Sequence, residues 1–322
     1  MAVAQDVRFF RIGTGSASGS YFPIGGVIAG AISNPPGSRE CDKGGSCGVP
    51  GLLAAAQSTQ GPVENIALIA KGSLDSGLAP ADLAYWAFHG TGPYADKGAV
   101  KNLRAIANLY SEMIHVVVRA NSDIQNIRDL KLRRVSVGEQ ASGTLVNARA
   151  VLKTYGLSEL DILPFYLQPG PAADLLANDG IDAFFVNAGP PVGAIAELAR
   201  ATPIRLLSIA GGEREELLKS YPFLSARIIP GGTYENVSGV ETLAVGVQYL
   251  AAAELDEKLV YGITRALWHP NAQKLWENVG PLAQTVKLES ALDGLGVALH
   301  PGAAQFYAEK SLMPRDAKPA SP

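Results

Sequence analysis

Two stretches of small and hydroxylated residues carry the chemistry that can be read in this chain. The first is Gly13-Thr14-Gly15-Ser16-Ala17-Ser18-Gly19-Ser20, and the second is Gly138-Glu139-Gln140-Ala141-Ser142-Gly143-Thr144. Glycines let a ligand approach the backbone, and hydroxyls donate or accept hydrogen bonds. A helix that starts where the loop ends adds free N–H groups and a partial positive charge. Such a loop suits a carboxylate or a phosphate. It equally suits a turn that only caps a helix, and one loop does not separate the two readings. A loop in each half of the chain is what a protein closing on an anion from two sides requires.

Other chemistries fit less well. Gly13-x-Gly15-x-x-x-Gly19 resembles a dinucleotide fingerprint, so an NAD(P)-dependent oxidoreductase using Gly13 to Gly19 is the alternative reading. Its spacing departs from G-x-G-x-x-G. No acidic residue closes a next strand about 20 residues on, where Pro35-Pro36-Gly37 and a cysteine loop fall instead. No Tyr-x-x-x-Lys pair occurs. Ser16, Ser18 and Ser142 lack a G-x-S-x-G elbow, and the four histidines (His89, His115, His269, His300) are scattered without ligand or triad spacing. No catalytic residue, metal or cofactor is therefore assigned, and the chain is not expected to be an enzyme. Asp182, opening an apolar run, is read as a cap or ion-pair partner sooner than an acid or base. His300-Pro301-Gly302 is read as a turn.

The loops need elements to hold them. Phe9 to Ile12 reads as a strand, and Tyr21 to Ile32 as a helix with Tyr21, Ile24, Val27, Ile28 and Ile32 near helical spacing. Arg134 to Val137 and Thr144 to Tyr155 repeat the unit, the helix ending at Gly156. Asp182 to Val186, a turn at Asn187-Ala188-Gly189-Pro190, and a helix from Pro191 to Ala199 make a third. Alternating strands and helices predict an α/β fold with mixed, mainly parallel sheets. His115 to Arg119 and Thr242 to Val247 are candidate crossing strands, and a helix follows from Asp256 to Trp268. We place a first lobe at 1–113 plus 251–322 and a second at 114–250.

Length and composition agree. The 322 residues suit two domains, and a 47% hydrophobic, 18% charged composition is that of a globular protein. The net charge is −3 and no basic run exceeds Arg133-Arg134, which argues against nucleic acid as a partner. Apolar stretches fall short of the roughly 18 residues of a membrane span. Cys41 and Cys47 flank the Gly-rich segment Asp42 to Ser46, and a local disulfide is the economical reading. So short a loop gains only about 2 kcal/mol by chain entropy, enough to pin a loop. Ala2-Val3-Ala4 fits the end of a secretory signal, and with the disulfide it points to a compartment outside the cytoplasm.

Phe10-Arg11-Ile12-Gly13-Thr14-Gly15-Ser16-Ala17-Ser18-Gly19-Ser20-Tyr21-Phe22-Pro23 resembles the opening motif of the TAXI family, the periplasmic solute receptors of tripartite ATP-independent periplasmic (TRAP) transporters. The likeness continues through Gln60 to Asn65, Ser76 to Tyr85, Asp129 to Gly138, Ala141 to Thr144, Gly180 to Phe185, Tyr221 to Phe223 and Leu299 to Ala303. It implies a type II periplasmic-binding fold with hinge strands between two lobes. It also implies a monomeric periplasmic receptor that passes a glutamate-, glutamine- or dicarboxylate-like solute to a membrane permease. The implied ligand set is Thr14, Gly15, Ser16, Ser18, Gly19, Tyr21 and Asn65 from one lobe, and Ser142, Gly143, Thr144, Asn187, Ala188 and Gly189 from the other, with Tyr21 or Tyr166 as an apolar wall. Ala141-Ser142-Gly143-Thr144 stands where the family has Gly-Ser-Gly-Thr, and Gly61-Pro62-Val63 where it has Gly-Ser-Val. Ligand identity is accordingly not carried over.

Overall fold

The computed structural model describes residues 7–313 other than 16, 18, 19, 141, 222, 278 and 281. The candidate residues Ser16, Ser18 and Gly19, and the signal-like Ala2 to Ala4, lie outside the described residues. The chain divides into two compact units, Met1–Tyr110 with Gly246–Pro322, and Ser111–Val245.

In the first unit β1 (Arg8–Gly13) buries Phe10 and Ile12 and leaves Phe9 outside, the period-two signature of a strand with one covered face. The helix α1 (Tyr21–Ile32) follows, with the limits its spacing predicts, and it buries Ile24, Val27, Ile28 and Ile32. Two short parallel strands, β2 (Ser33–Asn34) and β3 (Val49–Pro50), bracket the Cys41–Cys47 disulfide. Then come β4 (Leu52–Gln57), α2 (Pro62–Ala70), β5 (Ser76–Pro80), α3 (Ala81–His89) and the 17-residue strand β6 (Leu103–Arg119). Both β4 and β5 run parallel to β1.

The end of β6 belongs to the second unit, which continues with β7 (Arg134–Ser136), α4 (Gly143–Thr154), β8 (Leu163–Phe165), α5 (Pro169–Ala177) and β9 (Ala183–Ala188). After α6 (Gly193–Ala201), β10 (Ile204–Leu206), α7 (Gly211–Ser220) and β11 (Leu224–Ile229), the strand β12 (Val240–Ala252) returns the chain to the first unit. There it pairs antiparallel with β5 through Val247–Ala251. The helices α8 (Glu257–Leu267), α9 (Pro270–Glu277) and α10 (Pro301–Glu309) complete that unit. In the second unit β8 and β9 run parallel to β7, while β6 is antiparallel to both β9 and β10. The fold is mixed α/β, as the strand and helix alternation predicts.

Each unit has its own core. Phe10, Ile28, Leu78, Tyr249, Trp276 and Tyr307 are among the buried side chains of the first. Val117, Leu176, Phe184, Ile195 and Tyr234 are among those of the second. Two ion pairs of the same form tie the amino ends of β5 and β9 to the neighbouring strands β1 and β7. In the first unit the backbone N–H and Nε of Arg11 both donate to Asp75 Oδ2, at 2.8 and 3.0 Å. In the second, the same groups of Arg134 donate to Asp182 Oδ2 at 2.8 and 3.1 Å. Hydrogen bonding from Arg134 holds the Asp182 carboxyl below its ordinary range, which makes it a structural anion.

Three expectations shift. Asn187 and Ala188 continue β9 rather than forming a turn, because β6 runs on as a ladder partner, with Ile114 opposite Asn187 and Met113 opposite Ala188. The next helix starts at Gly193 rather than Pro191, since two successive prolines, Pro190 and Pro191, offer no N–H to either element. His300 is not a turn residue but the N-cap of α10: its Nδ1 accepts from the Gly302 N–H at 3.3 Å, and its Nε2–H donates to the Leu255 carbonyl at 3.1 Å.

Close packing explains one glycine on α1. A Cβ on Gly25 would lie 2.3 Å from the Thr14 methyl, whereas one on Gly26 would meet nothing within 4 Å. Gly25→Ala is expected to cost about 1–3 kcal/mol in urea unfolding through overpacking. Gly26→Ala, exposed on the same helix, is expected to gain up to about 1 kcal/mol.

Candidate functional site

In each unit three parallel strands hand over to three helices. In the first unit β1, β4 and β5 lead into α1, α2 and α3. In the second β7, β8 and β9 lead into α4, α5 and α6. Helix starts therefore gather at the carboxyl ends of the parallel strands, where open α/β sheets bind ligands. The first four N–H groups of such a helix have no acceptor within it.

In the first unit the loop after β1 is held by its neighbours. Thr14 is fully buried, and its hydroxyl donates to the Gln57 carbonyl at 2.7 Å. The Gly15 carbonyl accepts from Ser58 Oγ at 2.8 Å and from the Thr59 N–H at 3.2 Å. Asn65, also fully buried, closes the arrangement. Its Nδ2 donates to the Thr14 and Leu78 carbonyls at 2.7 and 2.8 Å, and its Oδ1 accepts from Thr59 Oγ1 at 2.8 Å. The side chains of Thr14 and Asn65 thus shape the loop, and a ligand there would meet its backbone. Tyr21 is buried in the unit's core. Ser58 and Thr59 were not singled out in the sequence, although the polar run Gln57-Ser58-Thr59-Gln60 directly after an apolar strand marks them.

In the second unit Gly138 makes the turn after β7 at φ 89°, and a Cβ there would lie 2.6 Å from Thr144 Cβ. Ser142 is the N-cap of α4: its Oγ accepts from the Leu145 N–H at 3.1 Å and donates to the Glu139 carbonyl at 2.7 Å. Thr144 Oγ1 accepts from the Asn187 N–H at 3.1 Å, which ties the start of α4 to the end of β9. Ser142, Gly143 and Thr144 are half-buried, as are Asn187 and Ala188, while Gly189 is buried. The structure thus brings Thr144 and Asn187 into contact. Tyr166 lies apart, 38% exposed, with its hydroxyl donating to Glu159 at 2.7 Å.

Behind β9 stands a buried polar chain absent from the sequence reading. His115 Nδ1–H donates to the Met113 carbonyl at 2.9 Å, and its Nε2 accepts from the Tyr234 hydroxyl at 2.9 Å. Tyr234 in turn accepts from the Val192 N–H at 3.0 Å. This chain fixes the segment from β9 into α6 and holds the imidazole as one neutral tautomer. Burial pushes the His115 pKa down to about 4 and the Tyr234 phenol up to about 12.

His269 is the other histidine the sequence left unplaced. Its Nε2 lies 3.8 Å from Cys41 Sγ, and Asn271 Nδ2 donates to the Cys41 and Gly45 carbonyls at 3.1 and 3.2 Å. The disulfide loop is thereby pinned to the start of α9. The sulfur and imidazole nitrogen atoms of Cys41, Cys47 and His269 lie within 4.8 Å of one another, but the disulfide occupies both sulfurs. Among the described residues, no helix is long and apolar enough to cross a membrane.

Residues 12–311 match the NMT1-like family, and the chain belongs to it. Solved structures share its fold. The alkanesulfonate-binding protein SsuA of Xanthomonas axonopodis pv. citri, bound to MOPS, is 18% identical over 97% of this chain and 96% of its own, with a TM-score of 0.50. A TctC solute-binding protein from Polaromonas is 15% identical over 95% and 99%, with a TM-score of 0.51. A Xanthomonas citri protein bound to a chloride ion is 10% identical over 94% and 99%, with a TM-score of 0.52.

The buried histidine gives a stability signature. Its folded pKa of about 4 lies below the ordinary 6.5, so in that window the unfolded chain binds the proton first. The contribution is present above pH 6.5 and is lost as pH falls through 4, roughly 3 kcal/mol in all. Denaturant titrations at pH 7, 5.5 and 4 are expected to show this loss, and His115→Gln to flatten it.

Proposed function

We propose that this NMT1-like chain is an extracytoplasmic receptor that captures a small carboxylate and delivers it to the membrane permease of a TRAP transporter, as a TAXI-type solute-binding protein. The observation that carries the reading is the gathering of helix starts, small residues and hydroxyls at the carboxyl ends of the parallel strands of each unit. Those groups are neutral donors with an aligned dipole, and they stabilise an anion without a buried arginine, each helix start contributing on the order of 1 kcal/mol. The ordered motifs from Phe10 to Ala303 support the TAXI assignment, and the Cys41–Cys47 disulfide supports a periplasmic location. The loops at Thr14–Tyr21 and Ser142–Thr144, with Ala188 and Gly189, supply backbone N–H groups to the ligand. Asn65 acts through the first loop by setting its shape.

A second reading is a sulfonate ligand, favoured by the shared fold with a sulfonate-binding protein solved with MOPS bound. A sulfonate presents three acceptor oxygens where a carboxylate presents two, and helix starts accept either.

Calorimetry on ligand-stripped protein with carboxylate, amino-acid and sulfonate panels tests both. The expected result is saturable binding of a carboxylate, weakened about tenfold or more by Ser142→Ala with Thr144→Val through loss of the cap and of the Asn187 anchor. Unchanged affinity in that double variant would remove α4 from the site. Binding confined to sulfonates would select the second reading, and no binding at all would refute both.

A further inference from the structure

The disulfide loop between β2 and β3 meets the start of α9 through donors aimed at both of its sulfurs. His269 Nδ1 accepts from the Asn271 N–H at 3.1 Å, so the proton of the neutral ring stands on Nε2. That Nε2 lies 3.8 Å from Cys41 Sγ, and Asn271 Nδ2 lies 3.2 Å from Cys47 Sγ. A disulfide sulfur is a weak acceptor and a thiolate a strong one. Donors placed on both sulfurs therefore stabilise the opened bond more than the closed one. The two positions are not equal. The Asn271 amide nitrogen also serves the Cys41 and Gly45 carbonyls, at 3.1 and 3.2 Å, whereas the imidazole N–H is directed at Cys41 Sγ. Cys41 and Cys47 are half-buried, and Asp42, Lys43 and Gly44 between them are exposed, so the bond is not sealed in the core.

We propose that Cys41–Cys47 is a thiol-exchange site, at which Cys47 takes up a small cysteinyl thiol as a mixed disulfide while Cys41 leaves as a thiolate held by the His269 Nε2–H. The incoming thiolate supplies the electron pair of the new bond at Cys47 Sγ. The Cys41–Cys47 bond breaks, and its pair passes to Cys41 Sγ. Negative charge thus moves from the incoming sulfur to Cys41, and the small thiol is the only co-reactant. The step reverses when the Cys41 thiolate attacks Cys47 Sγ and expels the small thiol, which restores the ring. Exchange runs faster the better the departing thiolate is stabilised and the more open the attacked sulfur. The site stands apart from the receptor reading above and does not depend on it. In the sequence the two cysteines read only as a pin for their loop, because His269 lies 228 residues from Cys41.

Reduced glutathione added to the folded wild-type protein is the probe, followed by acid quenching, alkylation of free thiols with iodoacetamide and peptide mass spectrometry. Trypsin cuts after Lys43 and so separates the two cysteines. The expected result is glutathione predominantly on Cys47 and the alkyl group on Cys41. An equal or reversed distribution, or no attachment at all, overturns the proposal. The bond is expected to open at least as fast in the native protein as in the same protein unfolded in urea. A slower native rate marks a purely structural bond and also overturns it. His269→Ala is expected to slow opening about tenfold, through loss of the donor to the departing sulfur. Lost packing alone would bare the sulfurs and speed the reaction, so an unchanged or faster rate in the folded variant counts against the proposal. If that variant does not fold, the position of glutathione and the native-to-unfolded rate ratio of the wild-type protein decide the matter.

Discussion

A single buried carboxamide, that of Asn65, holds the carboxyl ends of the first unit's parallel strands in one arrangement. It spends both N–H donors on the carbonyls of Thr14 and Leu78, and its oxygen takes the Thr59 hydroxyl, so β1, β5 and the loop after β4 meet at one side chain. The closeness is absolute: a Cβ on Gly13 would fall 2.5 Å from that oxygen. The second unit solves the same problem differently. There a threonine hydroxyl on the incoming helix accepts a backbone N–H of β9, and the asparagine side chain is turned to other use. The two loops look alike in composition, yet one unit puts an amide inside its scaffold and the other leaves the Asn187 amide oxygen without a hydrogen-bond partner among the described residues.

Charge is distributed to match. In the Arg11–Asp75 and Arg134–Asp182 pairs each aspartate immediately precedes a strand, β5 in one unit and β9 in the other. The two guanidinium groups are thus committed to the carboxylates that open β5 and β9. What remains at the carboxyl ends is mostly neutral: backbone N–H groups, hydroxyls and amides, with Glu112 as a buried acid.

Much of this was legible in the sequence because it is written in local terms. The spacing of Tyr21, Ile24, Ile28 and Ile32 delimits α1, a glycine in the left-handed region at Gly156 follows the end of α4, and Asp256 caps α8 through the Leu259 N–H. Two cysteines six apart in a glycine-rich loop announced the disulfide. What local pattern does not carry is the use of a polar side chain. Asn65 and Thr14 read as ligand groups by type, while only tertiary pairing over 51 residues shows them bonded to each other's surroundings. His115, Tyr234 and Val192 are likewise far apart in the chain and meet only once β6 and β9 are paired. The turn expected at Asn187 and Ala188 has the same origin, since β6 runs on as the ladder partner of β9.

The long strands β6 and β12 carry a further consequence, for the order in which the molecule can be made. A ribosome that has reached Val245 has synthesised every residue of the second unit. The first unit at that moment still lacks the Val247–Ala251 partner of β5, and with it α8, α9 and α10, which supply much of its core. Its sheet closes only through a pairing whose ends bracket the whole inserted unit, so loop-closure entropy is smallest if that unit has already compacted. The strands and helices that precede the second unit in the chain therefore belong to the part that is finished after it.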